Sequence, residues 1–408
     1  DDFGADGAAA AKAAAAGASL EMPAPGLASA RRILDAVEAG EIDMEDVYAR
    51  AQDILDMADA ALSKENRPAL EKEAHAALAA RVAEECMMLL RNEDSTLPLK
   101  PGTRIALIGD MAKTPRYQGS GSSQVNPTSL ETTLDVISDF PLEVVGYEPG
   151  YERLGTDNEE LKTRAVELAK KAELVLAYIG LDELSESEGL DRSHMRLPRV
   201  QVELIDALAE AGARIVVVLS AGSAVETQWA DKTAAIVHQS LSGQAGASAA
   251  LRILTGLANP SGRLAETYPL KYEDVPSSAW YPATSSKSYY REGPFVGYRY
   301  TTSTSSKVAF PFGFGLSYSS FDYSELEITD KGVRFTVTNT SEVPGSDVPQ
   351  LYLRAPGGVL SPARELKGFT KIHLDGGESQ SVEIPFDEYT FRHFDTASKQ
   401  WVKESGEW

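Results

Sequence analysis

Apolar residues along this chain follow three successive periodicities. Between residues 28 and 92 they recur at three-to-four spacing, as Ile33, Leu34 and Val37, then Val47, Ala51, Ile54 and Leu55, the stripe of amphipathic helices. Gly40 breaks the first helix. A third helix is expected over 68–90, with Ala77, Leu78, Val82 and Leu89 on its apolar side. From 100 to 270 short, wholly apolar runs alternate with amphipathic ones. Strands are expected at 104–109, 142–146, 174–179, 215–219 and, more weakly, 235–237, and helices at 161–172, 200–212 and 246–257. Continuous apolar strands separated by helices imply a mostly parallel sheet covered on both faces, a three-layer α/β/α sandwich. From 319 onward the period becomes two, in Phe335-Thr336-Val337-Thr338, Gln350-Leu351-Tyr352-Leu353 and Ser381-Val382-Glu383-Ile384, with Asp375-Gly376-Gly377 as a turn signal. Short alternating strands of this kind predict a β-sandwich of immunoglobulin or fibronectin type III type.

Two stretches fit none of these patterns. Residues 1–28 join Phe3-Gly4-Ala5 to an alanine-rich run ending at Gly17, then Leu20-Glu21-Met22-Pro23. They read as one strand end plus one helix, because alanine is the best helix former and glycine a natural stop. Residues 270–318 are rich in aromatics, Pro and Gly without a period, and read as a long connector. Its Trp280 and Tyr281 are expected to pack structurally rather than to stack on a ligand.

Composition narrows the function. A net charge of -22 repels nucleic acid and anionic membrane surfaces but leaves a neutral ligand such as a sugar unaffected. No apolar stretch reaches the roughly 18 residues of a membrane span. The single cysteine, Cys86, excludes an internal disulfide. It precedes Met87-Met88-Leu89-Leu90 and is expected to be a buried structural thiol. The five histidines, His75, His194, His238, His373 and His393, show no metal-ligand spacing, so neither a metal nor a cofactor is expected.

Two loops are chemical candidates. Gln118-Gly119-Ser120-Gly121-Ser122-Ser123 follows the first apolar strand. Its spacing is not that of a dinucleotide fingerprint, which leaves a positive-φ turn or a cleft border. The second, Glu186-Ser187-Glu188-Gly189-Leu190-Asp191-Arg192, follows the strand ending at Gly180, on the side where open α/β sheets bind ligands.

Read together, these motifs carry a resemblance. Glu186 through Pro198 resembles the acid/base loop of glycoside hydrolase family 3. Leu89-Leu90-Arg91-Asn92-Glu93 with Leu97-Pro98-Leu99 resembles the passage into that family's second domain, and Gly119–Ser123 its cleft-bordering glycine-serine loop. Asn259-Pro260-Ser261-Gly262-Arg263-Leu264, Phe295–Tyr300 and Phe310–Tyr318 follow in the same order. The resemblance implies a (β/α)8-like barrel of which only a C-terminal remnant is present (1–28), a helical linker (29–99), the α/β sandwich (100–270), a connector (271–318) and a fibronectin type III-like domain (319–408). It also implies a retaining exo-acting β-glycosidase, most simply a β-glucosidase. A β-xylosidase or other exo-glycosidase of the family, a non-catalytic carbohydrate-binding subunit and a nucleotide-binding α/β protein are the alternatives.

By that resemblance Asp2, in Asp1-Asp2-Phe3-Gly4, aligns with the nucleophile, with Asp1 as the alternative. Asp1 stands where the family has a small hydroxyl residue, and Phe3 where it has Trp. Glu188 aligns with the general acid/base, with Glu186 as the alternative, and Arg116, Ser120, Gly121 and Ser122 with sugar-binding positions. The negative charge of Asp2 and burial under sugar should raise the pKa of Glu188. The expected partners are a β-glucoside or oligosaccharide substrate and a barrel-bearing N-terminal segment or chain, with a homodimer open. The chain is expected to be one piece of a longer polypeptide, or to receive its barrel from a partner. Localisation is left open.

Overall fold

A computed structural model describes residues 10–22, 26–63, 71–283, 287–356 and 360–408. They fall into two compact units, Asp1–Glu71 and Lys72–Trp408. The first holds helices α1 (Ala10–Ala15), α2 (Leu27–Glu38) and α3 (Met44–Leu62). Gly17 and Gly40 end α1 and α2 with φ of 104° and 72°, as their sequence positions predict. Ala10, Ala14 and Ala36 are buried, whereas α3 has no buried residue.

The second unit begins with α4 (Lys72–Cys86), β1 (Met88–Asn92), β2 (Arg104–Ile108), α5 (Thr133–Val136) and β3 (Glu143–Glu148). It continues through α6 (Glu159–Ala169), β4 (Leu174–Gly180), α7 (Arg199–Glu210), β5 (Ile215–Ser220), β6 (Ala235–His238) and α8 (Gly246–Leu254). One six-stranded sheet results, ordered β1-β6-β5-β4-β2-β3. Its strands are parallel except β1, which runs antiparallel to β6. Every residue of β4 and β5 is buried, because alternate side chains serve opposite cores. Val175, Ala177, Ile179, Val217 and Leu219 meet Ala165 and Ala169 of α6 and Leu204 and Leu208 of α7. Leu176, Tyr178, Val216 and Val218 meet Ala83 of α4 and Ala250, Leu251 and Leu254 of α8. Burial on both faces is why these strands read as unbroken apolar runs.

The expected helix over 68–90 needs correction. It ends at Cys86, and Met88–Asn92 form the antiparallel edge strand β1. Leu89 is fully buried in that strand, while Leu78 and Val82, expected on an apolar helix face, are exposed. A fully buried strand and a buried helical turn share the same apolar run. Pro68 lies outside the described residues. Cys86 is exposed rather than buried, because burial begins one residue later, at Met87.

The connector contains α9 (Tyr298–Thr304) and β8 (Val308–Phe310), and β8 runs antiparallel to β7 (Tyr268–Pro269), which lies just before the connector. Then follow β9 (Phe321–Ile328), β10 (Gly332–Asn339), β11 (Gly345–Asp347), β12 (Gln350–Leu353), β13 (Glu365–Phe369), β14 (Ile372–Leu374), β15 (Ser379–Pro385), β16 (Arg392–Asp395) and β17 (Gln400–Lys403). Val333, Phe335 and Val337 of β10 pack with Ile372 and Leu374 of β14 and Val382 and Ile384 of β15. This is the one-faced core that period-two alternation requires.

Candidate active site

The parallel strands all deliver their C-terminal ends to one edge of the sheet. Backbones there approach so closely that side chains are excluded. A Cβ on Gly109, just past β2, would lie 2.1 Å from the Tyr178 carbonyl oxygen, and one on Gly180, ending β4, would lie 1.9 Å from that of Ser220. The loops after β2, β4 and β5 therefore leave side by side, and the candidate residues sit on them.

The loop after β4 opens with an Asx turn. Asp182 is buried; its Oδ1 accepts from the Leu184 and Ser185 amides at 2.8 Å each, and its Oδ2 from the Ser185 hydroxyl at 2.8 Å. Burial alone would raise its pKa, but the bonds from Ser185 and Leu184 outweigh it and hold the carboxyl below its usual range. Arg153 then clamps Glu183 bidentately, at 3.0 and 2.6 Å, and reaches Asp110 at 2.7 Å and the Thr114 carbonyl at 2.8 Å. Burial opposes the charge on Glu183, and the Arg153 guanidinium overrides it and lowers the pKa of the carboxyl.

Glu186 is tied down as well. Its Oε2 accepts from the Gly222 amide at 2.9 Å and its Oε1 from the Ser223 hydroxyl at 2.5 Å, both on the loop after β5. Arg116 donates to the Glu186 carbonyl at 2.8 Å and lies 3.9 Å from the carboxylates of Glu183 and Glu186. Arg192, behind them, donates to the Ser223 hydroxyl at 2.8 Å and the Ala224 carbonyl at 3.3 Å. Burial lowers its pKa, with the charge of Glu186 opposing.

Glu188, two residues on, is exposed. Its Oε2 accepts from the Ser122 amide at 2.7 Å and from the Ser122 hydroxyl, and its own amide donates to the Ser120 carbonyl at 3.1 Å. Gly121, at φ 108°, makes this approach possible, since a Cβ there would fall 2.6 Å from that of Glu188. The sequence places Ser120, Gly121, Ser122 and Glu188 in one site, and the structure brings all four together. Arg116 is instead 1% exposed and lies within the loop anchorage. Asp2 and its alternative Asp1 lie outside the described residues.

The protonation expected of Glu188 rests on Asp2 and on bound sugar, neither of which is among the described residues. In this chain its pKa is lowered, first by the Ser122 hydroxyl and then by the Ser122 amide, because both bonds favour the ionised form. The charge expected to raise it belongs to Asp2, beyond the described residues. Nor are Trp280 and Tyr281 packed inside: both are half-exposed, Trp280 under the Arg291 guanidinium at 4.1 Å, and Tyr281 donating its hydroxyl to Asp191.

Sequence reasoning missed Arg153, Glu183, Gly222 and Ser223. Each stands in a loop after a strand, and the rule that sites gather at C-terminal strand ends would have shortlisted them. At the end of β6, His238 sits between the Leu219 carbonyl (3.2 Å) and the Tyr268 hydroxyl (2.8 Å). Burial lowers its pKa to about 4, so it is a neutral core histidine.

Comparison with known proteins adds a lineage to this geometry. Residues 87–318 match the Glycosyl hydrolase family 3 C-terminal domain, and residues 347–408 a Fibronectin type III-like domain. Over 96% of its length the chain is 40% identical to thermostable beta-glucosidase B of Acetivibrio thermocellus, covering 54% of that protein. It is 38% identical, again over 96% of its length and 54% of the relative, to an exo-alpha-(1->6)-L-arabinopyranosidase of Bifidobacterium breve. The crystal structure of a Bifidobacterium adolescentis beta-glucosidase superposes on it with a TM-score of 0.90 at 37% identity, covering 97% of this chain and 60% of the other. The chain thus spans about half the length of the curated relatives it matches.

Proposed function

This chain belongs to glycosyl hydrolase family 3, and from that premise we propose that it carries the acid/base half of a retaining exo-β-glycosidase, a β-glucosidase in the first instance. One observation carries the choice of acid. Of the loop's three glutamates, Glu183 is clamped by Arg153 and Glu186 has both carboxylate oxygens engaged by Gly222 and Ser223. Glu188 is exposed and touches only Ser122 through its carboxylate, among the described residues. A proton donor must reach an outside atom, and only Glu188 is free to do so.

The reading assigns the nucleophile to Asp2 and the barrel to a segment or chain joined to residues 1–28, with 29–99 as linker, 100–270 as the sandwich and 319–408 as the outer domain. Asp2, ionised, attacks the anomeric carbon while Glu188 gives its proton to the leaving oxygen. Glu188, now a carboxylate, takes a proton from the water that releases the sugar. The two carboxyl groups need to lie about 5–5.5 Å apart for that double displacement. Ser122 lowers the pKa of Glu188, so this reading requires the charge of Asp2 and the exclusion of water by the sugar to protonate the acid. Ser120 and Gly121 border the sugar site, and Arg116 supports the loop from within.

The test is the leaving-group dependence of Glu188→Ala in the active, barrel-containing protein. Turnover of alkyl glucosides should collapse while nitrophenyl glucosides, which need little protonation, retain more activity. Asp2→Ala should abolish both. Intact activity in both variants would leave a non-catalytic subunit as the surviving reading. Normal hydrolysis of aryl β-glucosides by the 408-residue chain alone would overturn the need for a barrel. A second specificity is favoured by the arabinopyranosidase relative. Rates on β-D-glucopyranoside, β-D-xylopyranoside and α-L-arabinopyranoside decide between these sugars.

A further inference from the structure

The Ser122–Glu188 contact poses a problem that the proposed chemistry does not resolve. A general acid must be protonated before it can act, yet here the carboxylate is docked on two donors. An amide and a hydroxyl that both point at the same Oε2 suit an ionised oxygen and leave no lone pair there in need of a proton. Room for the dock is made by Gly121, where any side chain would strike Glu188. The backbone is fixed too, since the Glu188 amide is bonded to the Ser120 carbonyl at 3.1 Å.

We infer that Ser122 is a positioning residue of this enzyme, which docks the Glu188 carboxylate against the 119–123 loop in the free protein and thereby sets the pH above which the acid is lost. The inference rests on the acid/base assignment made above. Ser122 is then not primarily a sugar ligand. Its hydroxyl stabilises the carboxylate that waits for substrate, and the same contact presents a ready base once the proton has been given away.

The electrostatic surroundings leave Ser122 as the controlling contact. The 119–123 segment brings no charged side chain to Glu188. On the acid's own loop, Glu186 is committed to Gly222 and Ser223, Asp191 to the Tyr281 hydroxyl and Arg192 to Ser223 and Ala224. The lowered pKa of Glu188 accordingly arises from the two Ser122 bonds, with no charged group among the described residues contributing.

The experiment is the pH profile of kcat/KM, which reports the free enzyme's acid and base, on an alkyl glucoside with the barrel-containing protein. Removing the hydroxyl favours the protonated form, so Ser122→Ala should move the alkaline limb to higher pH and Ser122→Thr should return it. Glu188→Gln should remove that limb. A limb unmoved by Ser122→Ala but lost in Glu188→Gln would overturn the positioning role and leave the acid assignment standing. A limb that persists in Glu188→Gln would overturn both. Thermal unfolding of each variant separates these outcomes from loss of fold.

Discussion

The loop after β4 has two halves, and they could hardly be treated more differently by the fold. Residues 182–186 are bound by Arg116 through the Glu186 carbonyl, and by Arg153, Gly222 and Ser223 through the carboxylates of Glu183 and Glu186. Residues 188–191 are exposed, and the Glu188 carboxylate is held only through Ser122 among the described residues. The difference teaches how one acidic stretch divides its work. Carboxylates that share buried or half-buried space with guanidinium groups position the backbone. The carboxylate left beyond that mesh is the one available to a ligand. Sequence spacing alone cannot separate the two, because Glu186 and Glu188 are chemically identical and two positions apart.

The comparison can be broken most severely at its outer half. Glu188→Ala should lower kcat/KM for alkyl glucosides by about 10²–10⁴-fold, the usual contribution of general acid catalysis. Thermal unfolding should be unchanged, because the side chain is exposed.

The anchored side should answer to pH instead. His238 is buried, with its pKa lowered from 6.5 to about 4. A neutral buried imidazole stabilises the fold fully above its unfolded pKa. That stability is lost as pH falls through the window from 6.5 to about 4 and totals about 3 kcal/mol. Denaturant unfolding across that range should show the loss in the parent and not in His238→Gln. An identical slope in both would remove His238 as its source.

Glu186→Ala comes next. It removes the acceptors of the Gly222 amide and the Ser223 hydroxyl, at a cost of about 1–3 kcal/mol. Activity should fall too, since the loop that carries Glu188 loses its tether. A stable variant with full activity would show that the two halves are not coupled. The smallest effect belongs to Ser187→Ala, between the halves. Among the described residues its hydroxyl makes only a 3.5 Å contact with the adjacent Glu188 carbonyl, and stability should change by less than about 0.5 kcal/mol.

The fold was largely legible because its central strands carry apolar residues on both faces, so β2, β4 and β5 announce themselves without a period. β1 was read as helix for the same reason in reverse: Met87-Met88-Leu89-Leu90 extends the stripe of α4 without a Gly or Pro to mark the change. The connector hid α9 and β8, the partner of β7, because its aromatics follow no period. At the candidate site, Glu188 and the 119–123 loop were legible as candidates through strand-end position and family resemblance. Arg153 and Glu183 were not, because thirty positions separate them and only the parallel pairing of β2 with both β3 and β4 brings their loops to one edge. The lowered pKa of Glu188 was equally invisible. It depends on a contact between Ser122 and Glu188 that spans 66 positions and crosses two loops.

The central claim is that Glu188 is the acid/base, and it is tested most directly by adding azide to the Glu188→Ala variant of the barrel-containing protein with an aryl β-glucoside. Without its base, the enzyme should accumulate the glycosyl intermediate and turn over slowly. Azide, an anion that needs no deprotonation, should then restore turnover and give a glycosyl azide of retained anomeric configuration. Turnover that matches the parent without azide, or a slowed variant that azide neither accelerates nor diverts to this product, would contradict the assignment.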